Sequence, residues 1–423
     1  MLFTDSEHII KVHVKPEVEM KYIVLVNDGM ADYRLPELNN KTPMQVADTP
    51  NLNEIVPKSK CGRLITIPPG SEPGSDAANL SILGYDPKIH FTGRGPLEAA
   101  AQGIKLGNND MAFRCNLITE KNGILVDYSA GHISTPEAMQ LIDKLNEKLG
   151  TENQKFYPGL SYRNLLILKN TWFSEKILTT PPHNINGRPI SENLVKPLES
   201  EGVKTADFLN RMIFKSKEIL ENHPINLKRL KNNENPANMI WPWSGGRKPQ
   251  MQTFKEKYNM TSAVISAVDL IKGIGVYAGM DVINVPGATG LYDTNYEGKA
   301  DYAIGSLKTH DFVFVHVEAP DEAGHAGEIE LKIKTIENFD KRLLGRILKA
   351  LRNDDFRVAI LPDHPTPIKV RTHTSDPVPF LIYDPCEKGD GVKKFDEYSV
   401  EEGSLGIMQG PELLQLLFSK RMS

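Results

Sequence analysis

The hydrophobic positions form short continuous runs set between longer stretches of helical periodicity. Residues 21–27 (KYIVLVN), 311–317 (DFVFVHV) and 356–361 (FRVAIL) are β-branched and aromatic runs. Runs of this length read as strands covered on both faces, as in a parallel sheet. Helical patterns follow at 262–271, 299–307 and 329–351. Strands alternating with helices predict an α/β fold with a mainly parallel sheet flanked by helices.

The middle of the chain has a different pattern. An alternating stretch covers 111–119, and helices are expected at 135–149 and 205–221. Pro181-Pro182, Pro189 and the run Trp241-Pro-Trp-Ser-Gly-Gly246 punctuate it. This reads as a second α/β domain, residues 97–250, inserted into a core domain of residues 21–96 and 251–423. Residues 1–20 read as an N-terminal extension. The two tryptophans beside Pro242 are expected to pack in the core or at a hinge, and the Gly/Pro-rich stretch 242–249 is expected at the crossing between domains.

Fifty basic against 54 acidic residues leave a net charge of −4, so a general phosphate-neutralising surface for nucleic acid is not expected. The three cysteines, Cys61, Cys115 and Cys386, form no C-x-x-C pair, which removes the usual signal for a disulfide framework or structural zinc. No apolar run approaches the ~18 residues of a membrane span. The acids and histidines of the first 20 residues do not form a secretory leader, so a cytoplasmic location is expected.

Each of the three predicted strands delivers a carboxylate at or just past its C-terminal end: Asp28, Asp321 and Asp363. Ligands bind at that edge of an open α/β sheet. His325 lies four residues after Asp321, His364 adjoins Asp363, and His373 follows nine residues later. Oxygen and imidazole donors without thiolate suit Mn²⁺ or Zn²⁺ better than Ca²⁺. Six such ligands exceed one tetrahedral site and suit two metals, an arrangement that clamps a phosphoryl group during in-line displacement. Ser75, in the Gly- and Pro-framed PPGSEPGSDAANL, is the candidate nucleophile at the start of a helix over 76–83. A plain N-cap serine is the alternative reading. Neither a G-x-S-x-G elbow nor a G-x-x-x-x-G-K-[ST] loop is present.

The stretches NDGMADYRLPEL, PGSDAANLSILGYDP, FTGRGPLEAAAQGI, DYSAGHIST, PGATGLYDTNYEGKA, HVEAPDEAGHAG, LPDHPTP and RTHTSDPVPF resemble the alkaline phosphatase superfamily. Within it they resemble the cofactor-independent phosphoglycerate mutases of archaeal type, over nearly the whole chain. The resemblance implies an alkaline-phosphatase-like core and Ser75 as the phosphorylated residue. It places Asp321, His325 and His373 on one metal, and Asp28, Asp363, His364 and Ser75 on the other. It further implies two divalent ions, Mn²⁺ first and Zn²⁺, Co²⁺ or Mg²⁺ otherwise, with no bisphosphoglycerate. The expected partner is a small phosphorylated carboxylate, bound through Arg94, Arg114, His132, Arg163, His183 and Lys299. Asn164 and Asn184 depart from the family's SYRH and PPHD wording. A branch of the family proposed to act as homoserine kinase shares the DYSAGHIST and HTSDPVPF wording and supplies the alternative activity. A phosphohydrolase is a further one.

Overall fold

In the computed structural model, which describes residues 20–169 and 172–421, the three apolar runs are neighbours in one sheet. The expected extension 1–20 lies, but for Met20, outside the described residues. Lys21–Asn27 is central, parallel to Phe312–Val317 on one side and to Phe356–Leu361 on the other. From edge to edge the eight strands are Asp281–Val282, Ser262–Ile265, Phe312–Val317, Lys21–Asn27, Phe356–Leu361, Val378–Tyr383, Ser59–Ile65 and Gly406–Gln409. Val378–Tyr383 runs antiparallel to both its neighbours, and the other pairings are parallel. Successive side chains of the central strand enter opposite cores: Ile23 and Leu25 pack on one face, Val24 and Val26 on the other. Two covered faces explain why the run shows no alternation.

One predicted helix is corrected. Over 262–271 the first four residues, Ser262–Ile265, form a fully buried strand, and the helix is Asp269–Tyr277. Covered on both faces, a strand reads as continuously apolar, so periodicity cannot separate it from a buried helix. The pattern over 329–351 is helical throughout, with a π segment at Phe339–Leu344 between two α segments.

A second, antiparallel sheet is built from the middle of the chain. Asp110–Lys121 pairs with Ile124–Asp127, Arg163–Lys169 and Met239–Arg247, and Gln154–Tyr157 adds to Arg163–Lys169. Helices Thr135–Leu149 and Val203–Leu220 cover it through Leu141, Ile142, Leu145 and Leu209. Helix Arg94–Ala101 packs against both Asp269–Tyr277 of the core and the second sheet, and the expected change of unit at 96–97 falls inside it. The Trp-Pro-Trp-Ser-Gly-Gly run, expected as hinge or core, is strand through Arg247, with both indoles buried. Pro242 is tolerated because the strand pairs on one side alone. A Cβ on Gly245 would meet the Phe113 ring at 2.1 Å, so this glycine permits close strand contact.

Behind the C-terminal ends of the central strands, Lys332 of helix Ile329–Asn338 is wholly buried. Its ammonium donates to Asp32 Oδ2 at 2.7 Å, Thr366 O at 2.8 Å and Ala31 O at 3.2 Å. Asp32 in turn accepts from the Ile368 amide. One cation therefore ties the loop after the first strand to the loop after Phe356–Leu361. Lys332→Met leaves Asp32 buried without its partner and is expected to cost about 3–5 kcal/mol. Adding Asp32→Asn is expected to recover part of that loss. Urea denaturation checks both, and a single-variant loss below about 1 kcal/mol contradicts the buried-pair account.

Candidate active site

The central strands end together, and the segments just past their ends face the same space. Asp28 directly follows Lys21–Asn27, and Asp363 and His364 come two and three residues after the end of Phe356–Leu361. Asp321 and His325 occupy consecutive turns of helix Ala319–Ala326, which begins two residues after Phe312–Val317. Gly29 makes the approach possible: its φ is +64°, and a Cβ there would stand 2.6 Å from Asp321 Cα. Ser75 is the first residue of helix Ser75–Ile82. Gly74 holds the N-cap position and no side chain caps the helix, so the plain-cap reading of Ser75 does not hold.

The donors fall into two neighbouring groups. In the first, His325 Nε2 is 3.2 Å from Asp321 Oδ2 and His373 Nε2 is 3.4 Å from Asp321 Oδ1. The two imidazole nitrogens face each other at 3.0 Å. Their far nitrogens meet the carbonyls of Arg371 and Pro73 at 3.0 and 3.4 Å. In the second, His364 Nε2 lies 3.5 Å from Asp28 Oδ1, 3.6 Å from Asp363 Oδ2 and 3.1 Å from Ser75 Oγ. Asn79, one turn along the Ser75 helix, donates to Asp363 Oδ2 at 2.8 Å. Thr366 joins the groups, its hydroxyl donating to Asp321 Oδ1 and standing 3.3 Å from His364 Nδ1.

Asp28, Asp321, Asp363 and His364 are all nearly or wholly buried. Burial, then the charges of Asp363 and Asp321, push Asp28 well above the ordinary carboxylate range. Burial also opposes ionisation of Asp321, but the hydrogen bonds of His325 and His373 overcome it and hold that carboxyl far below. Glu318 is lifted to about 8 by burial and by Asp321 and Glu322. Buried carboxylates crowded in this way call for a cation. The donor set fits one: two imidazole nitrogens aim at one point beside a carboxylate, and two further triads, Asp28–Asp321–His364 and Asp28–His316–Asp363, are equally compact. Oxygen and nitrogen donors of this kind suit borderline divalent metals. His316, Thr366 and Asn79 were not expected from the sequence. The one available signal was His316, the sole polar residue within Phe312–Val317.

A positive group lies near this negative centre, with Arg163 acting on Glu318 and Glu322. Arg94 Nε pairs with Asp76 Oδ2 at 2.8 Å, beside Ser75. Arg114 Nε pairs with Glu98 at 3.0 Å while its guanidinium covers the Trp243 ring at 4.5 Å. Arg163 opens the strand Arg163–Lys169 and lies over the Tyr162 ring. His183 stands at an edge of Trp243 and Tyr128. Burial, then the charges of Arg114, Arg94 and Arg163, hold His183 below the usual imidazole value. The remaining two expected binding residues have these surroundings. His132 edges the Tyr162 ring and lines a cavity of about 430 Å³ with Glu137, Lys228 and Arg229. Lys299 is buried, with its ammonium donated to the His316 carbonyl at 2.8 Å. Asn164 is likewise buried, bonded to the Gly159 amide and the Tyr162 carbonyl.

The profile of a family described as 2,3-bisphosphoglycerate-independent phosphoglycerate mutase matches residues 57–226. A protein of that name from Methanosarcina acetivorans is 53% identical over 401 residues, covering 94% of this chain and 99% of its own. A second from Methanothermobacter thermautotrophicus, named as mutase 2, is 50% identical, covering 95% and 98%. Among solved structures, the cofactor-independent phosphoglycerate mutase of Thermoplasma acidophilum superposes with a TM-score of 0.66 at 30% identity, covering 94% of this chain and 98% of that one. A Pyrococcus horikoshii protein reaches 0.81 at 31% identity, covering 96% and 100%. With near-complete coverage at this identity, the chain belongs to the 2,3-bisphosphoglycerate-independent phosphoglycerate mutases.

Proposed function

We propose that the chain interconverts 3-phosphoglycerate and 2-phosphoglycerate by passing the phosphoryl group through Ser75. The observation that carries this is the position of Ser75 Oγ, 3.1 Å from His364 Nε2 at the mouth of the buried carboxylate cluster. In this reading Asp321, His325 and His373 hold one divalent ion, and Asp28, Asp363, His364 and Ser75 hold the other. Mn²⁺ is the proposed metal, with Zn²⁺, Co²⁺ and Mg²⁺ as the competitors to test. Bound, such ions favour the serine alkoxide and neutralise charge on the phosphoryl oxygens.

The chain's own groups supply the rest. Ser75 Oγ attacks phosphorus as the bond to the glycerate oxygen breaks, at the N-terminal end of helix Ser75–Ile82, whose dipole favours the phosphoryl charge. Arg94, Arg114 and Arg163 receive the phosphate and carboxylate of the substrate, which guanidinium groups grip in bidentate fashion. In this reading His183, held below the usual imidazole value by burial and its arginine neighbours, takes the proton of the accepting hydroxyl. Glycerate then turns and recovers the phosphoryl group on its other hydroxyl. The unit 97–250 closes on the core to exclude water, since an exposed phosphoserine hydrolyses. A homoserine kinase-like acceptor is not favoured, because the relatives found carry the mutase name.

Ser75→Ala removes a hydroxyl with one side-chain partner, His364, so stability should change by less than about 1 kcal/mol. Turnover of 3-phosphoglycerate is expected to fall at least about a thousandfold. Near-normal turnover contradicts the serine relay. His325→Ala and His364→Ala are each expected to retain less metal than wild type by elemental analysis after dialysis, and full retention in both contradicts the two-ion reading. Solution scattering with Mn²⁺ is expected to show a smaller radius of gyration once 3-phosphoglycerate is added. An unchanged profile contradicts closure.

A further inference from the structure

His316 has no part in the serine relay, yet it is the least accommodated polar side chain near the centre. It sits in Phe312–Val317, paired on one side with Lys21–Asn27 and on the other with Ser262–Ile265, and is 1% exposed. Every other residue of that strand is apolar. Neither ring nitrogen makes a hydrogen bond. A buried imidazole in that condition is costly unless something else meets it.

Its surroundings indicate what that is. His316 Nε2 lies 3.2 Å from Asp28 Oδ2 and 4.0 Å from Asp363 Oδ2. The contact with Asp28 lacks hydrogen-bond alignment. Two donors each about 2.1 Å from one ion stand at most ~4.2 Å apart, and both separations fall below that limit. Asp28 offers a different oxygen to each side: Oδ1 faces His364 and Oδ2 faces His316. The strand is also pinned at this residue, because Lys299 donates to the His316 carbonyl at 2.8 Å. The ammonium of Lys299 thus fixes the backbone and leaves the imidazole available.

We propose that His316 is a metal ligand: through Nε2, together with Asp28 and Asp363, it holds a divalent cation on the sheet side of the buried centre. This rests on the metal-dependent reading of the site and adds a donor from inside the sheet to those supplied by the loops beyond it. An imidazole with two carboxylate oxygens selects Mn²⁺, Co²⁺ or Zn²⁺ over Ca²⁺.

Crystals of the wild-type protein grown with Mn²⁺ test this by anomalous diffraction. The expected result is a manganese peak about 2.0–2.4 Å from His316 Nε2. Manganese at Asp28, Asp363 and His364, with His316 Nε2 more than about 3 Å from every peak, overturns the proposal and leaves the metal-dependent reading intact. The absence of manganese throughout the cluster overturns both. In solution, His316→Gln removes the imidazole. Its Mn²⁺ affinity, measured by competition with a chromophoric chelator, is expected to fall at least about tenfold at one site. An unchanged affinity overturns the assignment.

Discussion

Three carboxylates, Asp28, Asp321 and Asp363, are drawn out of water at the ends of adjacent parallel strands, and the repulsion among them is the constraint the rest of the site answers. Its strength shows in Asp28, pushed well above its ordinary range by burial and by its two neighbours. No lysine or arginine ion pair neutralises these three groups among the described residues. Imidazoles ring them instead: His325 and His373 at Asp321, His364 and His316 at Asp28 and Asp363. Such a set is stable as a whole when divalent cations share the carboxylate oxygens.

The fold serves this arrangement at several levels. Parallel pairing brings the strand ends into register, and Gly29 lets the Asp28 loop approach Asp321 without a Cβ in the way. Lys332 and Thr366 lie behind the donors and join the loops that carry them. The second sheet, with Arg114 and Arg163, and the helix Arg94–Ala101 that borders it gather the opposite charge around His183. The negative centre and the positive group are complementary in charge: the donors of the one suit metal ions, and the guanidinium groups of the other suit phosphate and carboxylate.

The sheet was readable because a strand covered on both faces leaves an uninterrupted apolar run, and Lys21–Asn27 and Phe356–Leu361 match the structure residue for residue. The same feature hid Ser262–Ile265, whose apolar run continues into the next helix. Asp28, Asp321, Asp363 and their histidines could be read because each follows a strand end. His316 lies inside a strand rather than past its end, and its one cue was being the sole polar residue in an apolar run. Thr366 and Lys332 were likewise hidden, since their partners are 45 and 300 residues away in the chain. Among the expected binding groups, the arginines kept polar partners beside the site. Lys299 is buried, with the His316 carbonyl accepting from its ammonium.

The central claim is that Ser75 carries the phosphoryl group between the two hydroxyls of the substrate. Rapid acid quenching of wild-type protein mixed with Mn²⁺ and 3-phosphoglycerate, followed by peptide mass spectrometry, addresses it directly. The account predicts one added phosphoryl group on the peptide containing Ser75, present in the quenched wild type and missing from Ser75→Ala. Steady turnover to 2-phosphoglycerate with no phosphoryl group on that peptide, or with the group on another residue, contradicts it.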